Sequence, residues 1–258
     1  MTVTNERRVL VHPNRAALAA SVAARFITTT VDILHEQGEV NVVLAGGSVA
    51  MEVLEAVNAS AARDTIDWDL VTFWWGDERW VPKEHPDRNE LQARTALLDH
   101  ISVPAENIHP FAASDEGLDL EEAATSYAEL LESRSIDGTQ LPRFDITFLG
   151  VGPDGHVASL FPHLPGIREH DKSVLAVLNS PKPPLERLTL SRPALNTSRC
   201  IWMVLAGHDK ASALGLALAG ASRDEVPVAG IKGRRYTNFF VDQEAAAEVP
   251  ENLTASTF

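Results

Sequence analysis

The chain has 258 residues, 45% of them hydrophobic and 22% charged, the make-up of a globular protein long enough to bury a sizeable core. A formal net charge of −14 argues against nucleic acid as a partner, since such binders present a basic face, and any anionic ligand must be held by a local group of donors against the overall field. Cys200 is the one cysteine, which excludes an intrachain disulfide and a four-Cys zinc site.

In chain order, RRVLVH (7–12) reads as a short strand, and MTVTNERRVLVH lacks the apolar stretch and cleavage site of a secretory leader. Pro13-Asn14 opens a long Ala-rich amphipathic helix that ends near Gly38. No apolar run approaches the roughly 18–20 residues that span a bilayer, so no membrane partner is expected, and the lone cysteine fits a cytoplasmic location. VNVVLAGG (40–47) is a continuous apolar run of the kind found in buried parallel strands. Ser48 follows as an N-cap for the helix VAMEVLEAVNASAA. DLVTFWWGDERW (69–80) is a strand that runs into a charged loop. NELQARTALLDH and LDLEEAATSYAELLESR are helical, separated by the loop VPAENIHPFAAS. RFDITFLG (143–150) is the next strand; SVLAVL and RLTLS (187–191) are two short strands around the turn SPKPP. RCIWMVLAG is a strand, GHDKASALGLALAG a helix and RRYTNFFVD the last strand.

Strands alternating with helices predict an α/β fold: a mostly parallel, Rossmann-like sheet with helices on both faces. No repeat, low-complexity block or linker divides the chain, so one domain is expected over 1–258, with 84–120 and 160–187 as elaborations. In open α/β sheets ligands collect beyond the carboxyl ends of the strands. Four informative segments follow strands here: AGGS, GDER, GVGPDGH and GHDK.

Gly150-x-Gly152-x-x-Gly155 matches the dinucleotide fingerprint by letter, but that fingerprint needs a helix starting inside it and an acid ending the next strand. Here Pro153 lies within the motif, Pro162 and Pro165 interrupt any helix after it, and Asp171 precedes the next strand. Asp154 would also repel a pyrophosphate. The competing reading is a constrained loop that displays Asp154 and His156 at a strand end.

AGGS places a glycine pair between a buried strand and a helix start, where free N–H groups and the helix dipole favour an anion; an ordinary tight turn has the same look. Within WWGDERW, Asp77 and Glu78 accompany Arg79, which stays protonated and has several donors suited to an oxyanion. Arg187 and Lys210 are cations of the C-terminal half, with Arg192 and Arg199 near them in sequence. Each has a plain reading as surface charge, although Lys210 sits in the first turn of an expected helix, where the dipole disfavours a cation unless an anion is close. His156, Asp154, Asp77 and His163 lack the tight spacing of a metal site.

These segments, in this order, resemble the 6-phosphogluconolactonase family: LAGGS, WWGDERWVP followed by Asn89, DITFLGVGPDGHVASLFPH, PPLERLTLS and GHDKA. The resemblance implies a fold similar to glucosamine-6-phosphate deaminase. Ser159-Leu160-Phe161-Pro162 and Arg79 stand where that enzyme has an Asn-Glu-Pro stretch and a tyrosine, so the lactonase branch is implied. It further implies a small phosphosugar lactone as substrate, no cofactor and no metal. His156 would be the catalytic base and Arg79 its partner at the carbonyl, with Asp77 or Asp154 orienting His156 or binding sugar hydroxyls. Gly46, Gly47, Ser48, Arg187 and Lys210 would hold the phosphate. The chain departs from the family's Gly-Gly-Ser-Thr-Pro at Val49-Ala50, which removes a threonine hydroxyl from the first loop. A deaminase or isomerase-like enzyme and a non-catalytic phosphosugar sensor are the alternatives on the same fold.

Overall fold

Asn14 caps the first helix by accepting a hydrogen bond from the Ala17 N–H, and Gly38, at φ 82°, ends it in the left-handed conformation that favours glycine. This is the pattern by which the chain, described over residues 6–135 and 138–249 of a computed structural model, alternates its elements. They are β1 (Glu6–His12), α1 (Arg15–Gln37), β2 (Val40–Leu44), α2 (Ser48–Ala59), β3 (Val71–Trp75), β4 (Asp77–Arg79), α3 (Asn89–Ala96), β5 (Ile108–His109), α4 (Leu120–Ser133), β6 (Ile146–Gly150), β7 (Val174–Val177), β8 (Arg187–Leu190), α5 (Arg192–Leu195), β9 (Cys200–Leu205), α6 (Ala211–Leu218) and β10 (Tyr236–Asp242).

Seven strands form a parallel sheet in the order β1-β10-β9-β6-β2-β3-β5. Trp74 pairs with Val43, and Val43 with Thr147, so Trp74 and Phe148 point to opposite faces. Phe148 meets Phe26 of α1, with ring centroids 5.6 Å apart. Trp74 meets Tyr127 of α4, edge-on at 6.3 Å. The helices therefore cover both faces, and every residue of β9 is buried, as a two-sided parallel sheet requires.

Four expectations need correction. α1 is long and apolar enough, by length and composition, to cross a membrane; here its apolar face, from Leu18 to Ile33, is buried in the core instead. DER is not a charged loop but β4, the edge of a second, antiparallel sheet of order β4-β8-β7. The pairing partners Arg187–Thr189 lie over a hundred residues away in sequence, so no local pattern reveals it. The expected loop 103–114 contains β5, a two-residue strand against Phe73 and Trp74, too short to carry a periodicity. Ser48 is the first helical residue of α2, and its expected capping place is taken by Gly47, at φ 98°.

From the centre of the large sheet, β2 leads outward to β3 and β5, while its neighbour β6 leads the other way to β9 and β10. Loops leaving β2 and β6 diverge and open a crevice between them. At the floor the two loops are in contact: a Cβ on Gly150 would lie 3.5 Å, ordinary van der Waals distance, from the Gly46 carbonyl oxygen.

Candidate active site

A cavity of about 250 Å³ fills that crevice. Gly46, Gly47 and Ser48 line it from the turn before α2, Asp77 and Arg79 from β4, His156 from the loop after β6, and Arg187 and Lys210 from the C-terminal half. Of the residues the resemblance gave a catalytic or phosphate-binding role, all lie on its wall except Asp154, which contacts His156.

The loop after β6 is held by its own backbone. Gly152 N–H donates to the His156 carbonyl at 2.9 Å, and Gly155 N–H to the Gly152 carbonyl at 2.9 Å. Gly155, at φ 78°, supplies the one left-handed turn among the three glycines of the motif. Gly152 is needed for room: a Cβ there would collide with the His156 ring and the Asp154 carboxylate. Two non-glycine residues of this segment, Ala158 (φ 48°) and His163 (φ 61°), are also left-handed, a conformation that costs of order 1–3 kcal/mol and persists where the surroundings impose it.

Asp154 Oδ1 lies 2.5 Å from His156 Nδ1 and 3.5 Å from Lys182 Nζ. Burial works against its ionisation, but the hydrogen bond from His156 and the charges of His156 and Lys182 outweigh it and hold the carboxyl well below the usual range. Asp77 serves differently: its Oδ2 accepts from Ser159 Oγ at 2.8 Å. The imidazole of His156 packs on Phe161, centroids 4.7 Å apart, and the Arg187 guanidinium sits 5.7 Å from the same ring.

Arg79 Nη1 donates to the Asp87 carbonyl at 2.6 Å, while its Nε is buried without a partner. Glu78 organises this corner. Its fully buried carboxylate accepts from the N–H groups of Arg79 (2.8 Å), Asn89 (2.7 Å) and Glu90 (2.9 Å), so it caps α3 and pins Arg79. Burial, only partly offset by Arg88 and these three N–H groups, pushes the Glu78 pKa up to about 7. The Asn89 amide donates to the Asp77 carbonyl at 2.8 Å and leaves its Oδ1 buried and unpaired beside Gly46.

Arg187 is buried, and its Nε and Nη2 donate to the carbonyls of Pro184, Lys182 and Pro183. Lys210 ends a short 3₁₀ turn, His208–Lys210, just before α6, and pairs with Asp209 at 2.9 Å; the expected place in the first turn of a helix is thus shifted by one residue. Arg199 pairs instead with Glu36, and Arg192 lies at another cavity. His163 pairs with Asp224 rather than with the other site groups. Cys200 is buried in β9, and burial raises its thiol pKa. Lys182 and Asn89 also line the cavity. Neither was singled out as a ligand from sequence; the only sign of Lys182 was a cation set between prolines in SPKPP, which reads as a turn.

A family model described as glucosamine-6-phosphate isomerases/6-phosphogluconolactonase matches residues 13–240. A 6-phosphogluconolactonase of Streptomyces coelicolor is 44% identical over 250 residues, covering 95% of this chain and 96% of the relative. A solved structure of 6-phosphogluconolactonase from Thermotoga maritima is similar with a TM-score of 0.81 at 28% identity, covering 92% of this chain and 100% of that one. A monomeric glucosamine-6-phosphate deaminase has a TM-score of 0.76 at 19% identity, covering 93% and 99% of the two chains, a likeness of fold alone.

Proposed function

Because the chain belongs to the glucosamine-6-phosphate isomerase/6-phosphogluconolactonase family, we propose that it hydrolyses 6-phospho-D-glucono-1,5-lactone to 6-phospho-D-gluconate in the oxidative pentose phosphate route. The enzyme acts as one domain on a free small molecule in the cytoplasm. The observation that carries the reading is the single cavity shared by the imidazole of His156, the guanidinium of Arg79 and the turn before α2.

Lactone hydrolysis needs an activated water, stabilisation of a tetrahedral oxyanion and a proton for the departing ring oxygen. With Nδ1 donating to Asp154, the proton-accepting lone pair of His156 is on Nε2. His156 Nε2 removes a proton from water as the oxygen attacks C1, and Asp154 stabilises the imidazolium that forms. The C1–O bond to the ring then breaks, and the same nitrogen returns the proton to the ring oxygen. Arg79, whose buried Nε lacks a protein partner, donates to the carbonyl oxygen as it becomes an oxyanion. Asp77 lies on the wall with its Oδ2 on Ser159 and accepts from sugar hydroxyls.

At the other end, the Gly46, Gly47 and Ser48 turn at the N-terminus of α2 and the cations Lys210 and Arg187 receive the phosphate. Binding the phosphate far from C1 orients the ring and selects phosphorylated lactones. The test is turnover of freshly generated lactone above its spontaneous rate, run beside ammonia release from glucosamine 6-phosphate. No lactone turnover by folded protein overturns the proposal; ammonia release in its place assigns the deaminase reaction, and stabilisation by a phosphosugar without any turnover assigns a sensor.

A further inference from the structure

A second cavity, of about 620 Å³, lies between Arg168, Arg192 and the segment from Ser222 to Lys232, and shares no lining residue with the candidate active site. In a chain of net charge −14, its wall carries four cations, Arg168, Arg192, Arg223 and Lys232, against one acid, Asp224. Asp224 is already engaged by Arg168, which grips both of its oxygens at 2.6 and 2.8 Å. Among the described residues no carboxylate lies within ion-pair distance of the other three cations.

The cations converge by construction. The Arg192 Cδ and Arg223 Cβ both press on Gly230, at 3.2 and 2.8 Å from where a Cβ would stand, so only glycine lets the two stems approach so closely. Asn196 fixes the loop beneath them, its Nδ2 donating to the Gly230 carbonyl at 3.0 Å and its Oδ1 accepting from the Lys232 N–H at 2.9 Å. Arg192 Nε is buried and unpartnered, and its Nη2 has only a ring nitrogen of His170 at 3.3 Å. Burial first, and the like charge of Arg223 second, lower the Arg192 pKa. Like charges held together at the mouth of a recess are stabilised by a counter-anion, and arginine forks match the oxygens of a phosphate group. The volume lies in the range of small-molecule sites, far more than a lone carboxylate needs.

We propose that this cavity is a second anion site that binds a small phosphorylated compound through Arg192, Arg223 and Lys232. It is independent of the lactonase reading. The test uses inorganic pyrophosphate at constant ionic strength, followed by amide chemical shifts of the wild type, of Arg192→Ala/Arg223→Ala and of Lys210→Ala. Saturable shifts are expected across residues 222–232 of the wild type, retained in Lys210→Ala and weakened at least about tenfold in the double variant, since two charged donors are lost. Absence of saturable shifts in the wild type, shifts confined to residues 46–48 and 207–210, or undiminished affinity in a folded double variant would each overturn it.

Discussion

Asp154 Oδ1 stands 2.5 Å from His156 Nδ1 on one short loop, so the carboxylate that orients the imidazole and the base that faces the cavity are delivered together. General-base contributions of about 10²- to 10⁴-fold set the expected loss of kcat for His156→Ala, and a thermal melt on the same variant separates that loss from any unfolding, since the side chain is only 18% exposed and packs on Phe161. Asp154→Asn should lose a comparable factor by offering an amide donor to Nδ1 and favouring the wrong tautomer. The double variant should be no slower than His156→Ala alone, since the two act as a unit. Additive losses in the kinetics would separate Asp154 from the base.

Arg79→Lys keeps a positive charge but loses the guanidinium fork. One oxyanion donor is worth roughly 10²- to 10³-fold in kcat, and the fall should appear in kcat with KM nearly unchanged. A rise in KM at constant kcat would instead assign Arg79 to ground-state binding.

Glu78 and Asp154 predict opposite pH dependences of stability. The Glu78 pKa is raised from 4.5 to about 7, so folding favours its protonated form; that stabilisation is complete below about pH 4.5 and is lost as pH rises through about 7. Asp154 is depressed, so its contribution is present above its unfolded value of 3.8 and is lost as pH falls into strong acid. In urea denaturation, Glu78→Gln should gain on the wild type as pH climbs from about 4.5 to 7. Parallel curves over that interval would refute the raised pKa.

Gly152→Ala should act on chemistry more than on folding. Its new methyl would strike the His156 ring and the Asp154 carboxylate, and displacing a catalytic group by about 1 Å costs around 10²-fold. Single-turnover lactone hydrolysis and a thermal melt on the same sample decide it; full activity would mean that the loop has slack.

Lys210→Ala should raise KM for the phosphorylated lactone roughly 10- to 100-fold, the range for a lost hydrogen bond to a charged group. Hydrolysis of the unphosphorylated lactone should be unaffected. Equal effects on both substrates would remove Lys210 from the phosphate end.

Much of the fold was legible because buried parallel strands are continuous apolar runs, as in Val40–Leu44 and Cys200–Leu205. The glycine-rich and charged segments that follow four of them read directly as a cluster of loops at one edge. DER was misread because Asp77–Arg79 becomes a strand only by pairing with Arg187–Thr189. Glu78 drew no role of its own from the sequence for the same reason: its burial under the start of α3 is a tertiary fact. Lys182 looked like part of a turn, and only the fold sets its ammonium against Asp154.

By itself, then, the order of residues determined the alternating sheet and marked His156, Arg79 and the glycine turn as candidates at strand ends, since those signals are local in period and composition. The three-dimensional arrangement alone decided which acid meets the imidazole, why Gly152 must be small, and that Arg192 and Arg223 close on Gly230 at a cavity also lined by Arg168 and Lys232. Arg192 reaches Gly230 and Arg223 from a segment distant in sequence, by packing; Gly152, Asp154 and His156 share one short loop, and it is the folded course of that loop, not local propensity, that sets which of their atoms meet.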